Sequence, residues 1–436
     1  MTIKTDSAAG VRTVVDGGAG ATGETAAEPF GTARTLSLLA GLYMSQGMVH
    51  AFFARSLPVL LRQQGASLEM VGFSYLVFLP WSFNFLWAPL VDRWYVRRLG
   101  RRRSWLLPIQ VSLVAVLGFV AFGQAELAIA VLVGAAILAS ILAATGDIAI
   151  DGYAVDRISP AMRGPANGIQ IGGYWVGMLI GGSLVLLIID KTGLVAGVGA
   201  MAVVVFLIFL ALALTREPPP DAEGSIEDRR PSLWAFAKRP EARLMVLMIF
   251  FARFGASFSN GMLQPYLVDV GMDLSDIATL MGVAGVGGSL AGSLVGGLIV
   301  RLLRRRTALI AACSLQALAL MGYWAIAASG STSLLAFAIA VEYFCTSLVF
   351  VALYTVMMDC CDRRQAGTDF TIQSCVGNLV TILGGVFSGW SAEALGYANH
   401  FLIGFLITLG CVAAVAILHG RITDHLSQRE TQPRPV

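Results

Sequence analysis

The chain is poor in charged residues. Asp, Glu, Lys and Arg make up only 13% of its 436 residues, whereas a soluble globular domain has about 25%. Hydrophobic residues make up 56%, and the mean hydropathy is +0.74. Because a soluble surface needs more charge than this, the composition excludes an ordinary soluble enzyme or binding domain.

Motifs for catalysis or metal binding are also missing. The six cysteines lie mostly within apolar runs, and none has a histidine at the spacing of a metal site. We expect all six to be packing residues. The sequence has no HExxH motif and no paired serine and lysine or histidine suited to nucleophilic catalysis. We therefore expect no enzyme activity, no cofactor, no metal site and no nucleic-acid partner.

Long apolar runs are what the sequence does have. Each is about 20 residues long, enough for a helix to cross a hydrocarbon core of ~30 Å while satisfying its own backbone hydrogen bonds. The sequence predicts an all-α membrane protein with twelve transmembrane helices in two pseudo-symmetric six-helix bundles. The predicted spans are 36–61, 68–92, 105–123, 126–155, 165–189, 194–215, 242–268, 275–300, 307–329, 332–358, 367–390 and 397–419.

The polar segments divide the chain. Residues 1–34 lack both an early apolar run and a cleavage pattern, which is typical of a disordered tail and not of a signal peptide. The longest internal polar stretch, 216–240, is rich in proline and mixed charge and predicts a linker. We therefore expect an N-terminal bundle over 35–215, a C-terminal bundle over 241–420 and a second tail over 421–436.

Basic residues predict the orientation. One set of short loops contains RWYVRRLGRRR (93–103) and RLLRRR (301–306), whereas the other set contains only Arg62 and Lys191. By the positive-inside rule, the arginine clusters, the linker and both termini face the cytoplasm.

The two halves repeat each other. When the second half is shifted by 203 positions, Arg101 to Arg103 fall on Arg304 to Arg306, and Asp156 falls on Asp359. The offset covers six predicted helices, an even number, so the repeats run in parallel through the membrane. Parallel repeats of this kind are typical of transporters that work by alternating access.

Five ionisable residues lie deep in predicted spans. A charged side chain there costs about 2.5–3.5 kcal/mol on insertion, so each is a candidate for substrate binding or proton coupling. These candidates are His50, Arg55, Asp147, Arg253 and Glu342, all on spans one, four, seven and ten. His50 could instead be a neutral packing residue, and Arg253 and Glu342 could form a structural ion pair.

Three polar residues are weaker candidates for the same site. Tyr174, Asn260 and Gln264 could contact a substrate, or they could form hydrogen bonds between helices. Tyr43, Trp81, Trp175 and Phe254 could stack on rings of a ligand or serve in packing.

A second group of charged residues lies near the cytoplasmic ends of the spans. At ~1.5 Å per residue, Asp151 lies about 17 Å from the middle of its span, and Asp147 lies about 10 Å from it. We expect Asp92, Asp151 and Asp156 to pair with basic residues when the cytoplasmic side closes. The predicted gate comprises Asp92, Arg93, Arg101, Asp151, Asp156, Arg157, Arg163, Asp359 and Asp369.

Two segments carry a resemblance to a known family. FNFLWAPLVDRWYVRRLGRRRSW (83–105) and GDIAIDGYAVDRISPAMRGPANGIQIGGYWVGMLIGG (146–182) resemble the major facilitator superfamily, in the branch of AmpG-like muropeptide permeases and rhizobactin- or pyochelin-type siderophore permeases. The resemblance implies a permease of a bacterial inner membrane, acting as a monomer in the lipid bilayer.

The substrate is chosen from two further segments. MDCCDRRQAGTDFTIQ (358–373) resembles the siderophore-permease form, and Gly146 stands where muropeptide permeases have glutamine. The resemblance therefore implies proton-coupled import of a siderophore or metallophore, with Asp147, Glu342 or His50 carrying the proton. The alternative is a muropeptide permease of the AmpG type.

Overall fold

The computed structural model describes residues 29–53, 79–123, 129–215, 217, 231–272, 274–330 and 332–431. These residues form helices joined by short turns, and the described ranges contain no β-strand. Helices satisfy their backbone hydrogen bonds internally, as a chain that spans lipid requires. The prediction of an all-α fold is confirmed.

The helices divide at the polar segment 216–240 into a first and a second half. The first half contains α1 (Pro29–Ala51), α2 (Leu79–Phe83), α3 (Ala88–Arg93), α4 (Arg103–Phe122), α5 (Ile129–Arg157), α6 (Arg163–Met178), α7 (Val185–Thr192) and α8 (Leu194–Ala213). The second half begins with α9 (Leu233–Lys238), which lies inside the predicted linker. It continues with α10 (Pro240–Asn260), α11 (Leu263–Asp269), α12 (Leu274–Leu280), α13 (Val286–Leu302), α14 (Arg305–Ser329), α15 (Leu335–Cys360) and α16 (Ala366–Thr431).

Nine helical stretches among the described residues are long and apolar enough to cross a membrane. The last of them, Arg363–Ser427, contains a break at Gly396, where φ is 77°. Glycine adopts this left-handed conformation without steric cost, and the break falls between the eleventh and twelfth predicted spans. The total of twelve stays a prediction, because residues 54–78, which include parts of the first two predicted spans, lie outside the described residues.

Several boundaries differ from the prediction. Helix α1 begins at Pro29, inside the predicted tail, and α16 continues to Thr431, beyond the predicted end of the last bundle. The described part of the second span is not one helix, because a 3-10 turn over Asn84–Leu86 separates α2 from α3. Pro89 lies in the first turn of α3, where its missing N–H leaves no helical hydrogen bond unmade.

The two halves pack against each other through several helix pairs. Helix α6 contacts α1 in its own half and α13 in the other, while α16 contacts α10 and α14 in its own half and α5 in the other. The largest buried apolar cluster includes Leu42 and Ile148 from the first half and Leu353 and Phe370 from the second. Large apolar side chains also cover the outside, among them Leu207, Leu294 and Trp390. An apolar exterior is what contact with lipid requires.

Candidate functional site

A cavity of about 350 Å³ lies in the second half, lined by side chains of α10, α14, α15 and α16. Helix α10 contributes Arg253, Ser257 and Asn260, whose spacing of four and three residues places them on one helix face. Gln316 from α14 and Thr346 from α15 line the same space. The cavity therefore has neutral polar groups and one cation on its wall.

Glu342 is the carboxylate next to this cavity. Its side chain is fully buried, and its Oε1 accepts hydrogen bonds from Asn260 Nδ2 at 2.8 Å, Gln316 Nε2 at 2.7 Å and the Thr346 hydroxyl at 2.8 Å. Its Oε2 accepts only a longer bond from the Tyr323 hydroxyl, at 3.3 Å. All four donors are neutral, so the carboxylate is held by hydrogen bonds and not by a cation.

Arg253 lies in the same cavity but does not contact Glu342. Its Nη2 donates to Thr381 Oγ1 at 3.0 Å, and its guanidinium carbon lies 4.6 Å from the centroid of the Phe350 ring. The alternative of a structural Arg253–Glu342 ion pair is therefore wrong for this conformation. The structure brings Arg253, Asn260 and Glu342 together around one space, while Gln264, the other candidate nearby, is exposed.

The first-half candidates form a separate aromatic group. The His50 ring lies 5.3 Å from the ring of Trp81 and 5.9 Å from that of Tyr174, measured between centroids. Tyr174 contacts Trp175, which in turn contacts Tyr343 of the second half at 6.2 Å. A line of rings thus connects His50 to the helix that carries Glu342. Arg55 lies outside the described residues.

The two aspartates of α5 have different surroundings. Asp151 is 2% exposed and its Oδ1 accepts from the Tyr43 hydroxyl at 2.8 Å and from Gln170 Nε2 at 3.3 Å. Within the described residues Asp151 forms no ion pair with an arginine, so the predicted pairing is absent from this conformation; its hydrogen bonds come from neutral side chains of α1 and α6. Asp147, one turn away, is half-buried and has no hydrogen bond or ion pair within the described ranges.

Ion pairs concentrate at one end of the molecule, which we call the arginine end: the termini of α3, α4, α5, α15 and α16 that meet around residues 92–103, 156–163 and 359–369. Asp92, which is fully buried, accepts from Arg101 at 3.1 Å and Arg102 at 2.6 Å. Arg102 also contacts Asp156 at 2.9 Å. Burial lowers the pKa of Arg102, but Asp156 and Asp92 raise it by more, so it lies above its usual range.

Three other predicted gate residues lie at the arginine end but form no ion pair with Asp92, Arg101 or Arg102 within the described ranges. Arg93 is exposed and forms no ion pair within the described part of the chain. Arg157 lies over the Tyr153 ring at 5.8 Å. Asp369 pairs with Arg239 inside the second half.

Five residue pairs at the arginine end join the two halves within the described ranges. Asp92 Oδ2 accepts from the backbone N–H of Thr368 at 2.6 Å and from its hydroxyl at 2.7 Å. Arg163 pairs with Asp359, which also accepts from Arg305 of its own half at 3.2 Å. The other three pairs run from arginines to backbone carbonyls. Arg101 donates to the carbonyls of Arg363 at 3.1 Å and Arg364 at 2.6 Å, and Arg305 donates to the carbonyl of Pro160.

The repeat of the sequence recurs in these contacts. The Nε of Arg102 donates to Asp156 Oδ2, and the Nε of its repeat partner Arg305 donates to Asp359 Oδ2. Pro160 and Arg363, whose carbonyls accept across the halves, are also 203 positions apart. The pseudo-symmetry predicted from the sequence therefore extends to individual atoms.

Close backbone packing completes the contact between the halves. A Cβ added to Gly168 of α6 would lie 2.6 Å from the carbonyl oxygen of Ser293 in α13, and one added to Gly164 would lie 2.7 Å from Val300 Cγ1. Such distances are too short for any side chain, so glycine is required for α6 and α13 to approach this closely. We call this contact the glycine seam.

Several contact residues are missing from the predicted set. Nothing in the sequence marks Gln316 and Tyr323 as donors to Glu342 or Thr368 as a donor to Asp92. For Tyr43 the sequence predicts stacking on a ligand or packing, and not its hydrogen bond to Asp151. Glu217, in the predicted linker, accepts from the backbone N–H groups of Arg102 and Arg103 at the start of α4. An anion at a helix N-terminus is stabilised by the helix dipole, but the sequence does not connect Glu217 with a helix start more than a hundred residues away.

Two helical halves related by a parallel repeat, joined by ion pairs at one end, apolar on the outside and with a cavity among the helices of the second half, define a membrane transporter. Comparison with known families agrees with this class. The profile of the Major Facilitator Superfamily matches residues 39–384 and 245–435. The chain belongs to this superfamily, in its AmpG-like branch.

Individual proteins show the same relationship. The chain is 25% identical over 413 residues to the anhydromuropeptide permease of Escherichia coli K12, covering 91% of this chain and 83% of the relative. It is 23% identical to a transporter of Rickettsia conorii that bears the name AmpG 4, covering 86% and 94%. A bacterial homologue of the iron transporter ferroportin, solved in an outward-facing state, has a TM-score of 0.64 at 16% identity over 89% of this chain and 99% of its own. At that identity the structural match shows the fold alone.

These relatives overturn one prediction. The expected import of a siderophore or metallophore, and with it a role in iron uptake, is wrong. The relatives that match along most of the chain are named for anhydromuropeptide or AmpG transport. The segment 358–373 and the glycine at position 146 misled the prediction, because neither lies on the cavity wall: the segment covers the adjoining ends of α15 and α16, and Gly146 is buried within α5.

Proposed function

We propose that the protein is a permease that carries an anhydromuropeptide, a sugar–peptide fragment of the bacterial cell wall, across the inner membrane by alternating access. The similarity to the Escherichia coli anhydromuropeptide permease carries the proposal, because it extends over 91% of the chain and includes both halves. Polar side chains on the cavity wall, among them Asn260, Gln316 and Thr346, support it, since a sugar–peptide offers hydroxyl and amide groups to such side chains.

The arginine end faces the cytoplasm, together with both termini and the linker. In this conformation Asp92–Thr368, Arg163–Asp359 and the glycine seam hold that end closed. Along α16, Asp369 at this end and Thr381 at the cavity are about 18 Å apart at ~1.5 Å per residue. Ligand then enters from the periplasmic side, and the bundles 35–215 and 241–420 rock apart at the arginine end to release it. The protein acts as a monomer.

Proton coupling acts at Glu342. Three donors converge on Oε1, whereas Oε2 has only the 3.3 Å contact to Tyr323 and therefore has room for a proton. The side chains of Asn260, Gln316 and Thr346 donate to this carboxylate and also line the cavity. A ligand that pulls on any of them changes the stability of the charged form, which links binding to protonation. Asp147 and His50 are second candidates for the same role.

Uptake into proteoliposomes tests the proposal. Vesicles containing the purified protein should accumulate labelled anhydromuropeptide when a proton gradient is applied, and empty vesicles should not. A ferric siderophore under the same gradient serves as the negative control. Absence of muropeptide uptake at every gradient, from a protein that remains folded and monodisperse, would refute the proposed function.

A further inference from the structure

Arg253 is a cation without an anion. None of the ion pairs within the described part of the chain includes it, and its hydrogen-bond partner Thr381 and ring partner Phe350 are both neutral. A guanidinium placed in a membrane-spanning helix is costly unless something compensates its charge. The protein supplies only weak compensation, so the arrangement is suited to an anion that arrives with the ligand.

Two acceptors on the same cavity wall also have no partner. The amide nitrogens of Asn260 and Gln316 donate to Glu342, but their carbonyl oxygens, Oδ1 and Oε1, are buried without a hydrogen bond within the described residues. Because Glu342 fixes the orientation of both amides, these oxygens cannot rotate away to find other donors. An unsatisfied buried acceptor costs about 1–3 kcal/mol, so both positions favour a ligand that brings N–H or O–H groups.

A glycine provides the space in which the guanidinium lies. A Cβ added to Gly377 of α16 would lie 2.0 Å from Arg253 Nη1. By the repeat, Arg253 corresponds to His50 and Gly377 corresponds to Tyr174, since each pair is 203 positions apart. In the first half the Tyr174 ring contacts His50, whereas in the second half the missing side chain leaves room for a guanidinium. The two halves thus differ at the position where a charged ligand group would be held.

We infer that Arg253 is the anchor for a free carboxylate of the ligand's peptide, with Asn260 Oδ1 and Gln316 Oε1 accepting from its amide N–H groups. The inference rests on the proposed function and assigns one end of the substrate to the second half. The cavity, at about 350 Å³, is near the lower limit of ligand pockets, roughly 300–1,000 Å³. It therefore holds the peptide end and not the whole sugar–peptide. Gly377 is a positioning residue, because it acts through Arg253.

The test compares two forms of one ligand. Binding to the purified full-length protein is measured by calorimetry for anhydromuropeptide with free peptide carboxylates and for the same molecule with those carboxylates amidated. The wild-type protein should bind the free acid about 10- to 100-fold more tightly, the range expected for a hydrogen-bonded charge pair. Arg253→Gln should bind both forms with equal, weakened affinity, and Arg253→Lys should keep part of the preference.

Two glycine substitutions on α16 distinguish loss of the Arg253 position from a general effect of adding a methyl group to this helix. Gly377→Ala should reduce the preference for the free acid to less than threefold, because the new methyl group displaces the guanidinium. Gly389→Ala, on the same helix, would meet only the end of Met262 at 3.9 Å and should behave as the wild-type protein. Melting temperature and size-exclusion profile are recorded for every variant, and Gly377→Ala still decides the question if Arg253→Gln fails to fold.

The outcomes separate the two proposals. Equal binding of the acid and the amide by the wild-type protein, or an acid preference that survives Arg253→Gln, overturns the anchor and leaves the permease function standing. Failure of the wild-type protein to bind either form overturns the proposed function and the anchor together. A preference lost in both Arg253→Gln and Gly377→Ala supports the anchor.

Discussion

Replacing Thr368 by valine should shift the protein away from the conformation closed at the arginine end. The substitution keeps the shape of the side chain and the backbone N–H, and it removes only the hydroxyl that donates to Asp92 at 2.7 Å. A hydrogen bond to a charged, buried group is worth about 1.5–3 kcal/mol. Because the contact joins the two halves, it stabilises the closed state alone. The ratio of open to closed molecules should therefore rise about 10- to 100-fold.

Spin labels across the arginine end measure this ratio. Arg98 and Arg301 are exposed, lie in opposite halves and correspond to each other in the repeat, so cysteines placed there report the separation of the halves. The native cysteines are replaced first. The control is Thr371→Val, on the same helix, where the buried hydroxyl has no partner within the described residues. If Thr368→Val and Thr371→Val give the same distance distribution as the parent protein, the bond to Asp92 does not hold the halves together.

Three further changes test other parts of the structure. Gly168→Ala should prevent closure of the glycine seam and abolish transport, whereas Gly287→Ala, whose added methyl group meets nothing within 4 Å, should transport normally. Normal transport by Gly168→Ala would contradict the requirement for glycine. Tyr43→Phe should lower the free energy of unfolding by about 1.5–3 kcal/mol, because the buried Asp151 loses its closest hydrogen-bond donor. An unchanged melting temperature would show that water or Gln170 replaces the Tyr43 hydroxyl as donor. Glu342→Gln should abolish accumulation driven by a proton gradient while keeping exchange of labelled for unlabelled ligand, and retained accumulation would exclude Glu342 as the coupling group.

The fold could be predicted from the sequence because each of the patterns that indicate it extends over many residues. Twenty-residue apolar runs, arginine-rich short loops and the 203-residue repeat each report on many residues at once. The break at Gly396 also fell where the hydropathy placed it. The broken helix around Asn84–Leu86 did not follow from composition, since it depends on local contacts such as the bond from Asn84 to the Ala144 carbonyl.

The site could be predicted from the sequence only in part, because it depends on contacts between helices. The depth of Arg253 and Glu342 in their predicted spans identified both as candidates. The sequence gives no distance between two helices, however, so it could not show whether these two side chains form an ion pair or have different partners. Asp151 shows the limit most clearly. Its position beside several arginines predicted ion pairing, yet the orientation of α5 turns it toward Tyr43 of α1. The choice of ligand failed because it relied on residues away from the cavity wall, whereas the residues of the cavity wall select the ligand.

The arginine contacts that cross between the halves have a consequence for how the protein tolerates change. Arg101 and Arg305 donate to the carbonyls of Arg363, Arg364 and Pro160, and no substitution of the accepting residue removes a carbonyl. The side chains of the accepting residues are therefore free to change during evolution, while those of the donors are not. Pro160 and Arg363 already differ at equivalent positions of the repeat, although the carbonyl of each accepts from an arginine of the other half. Sequence variation among homologues should accumulate at these accepting positions and leave the arginines that reach them unchanged.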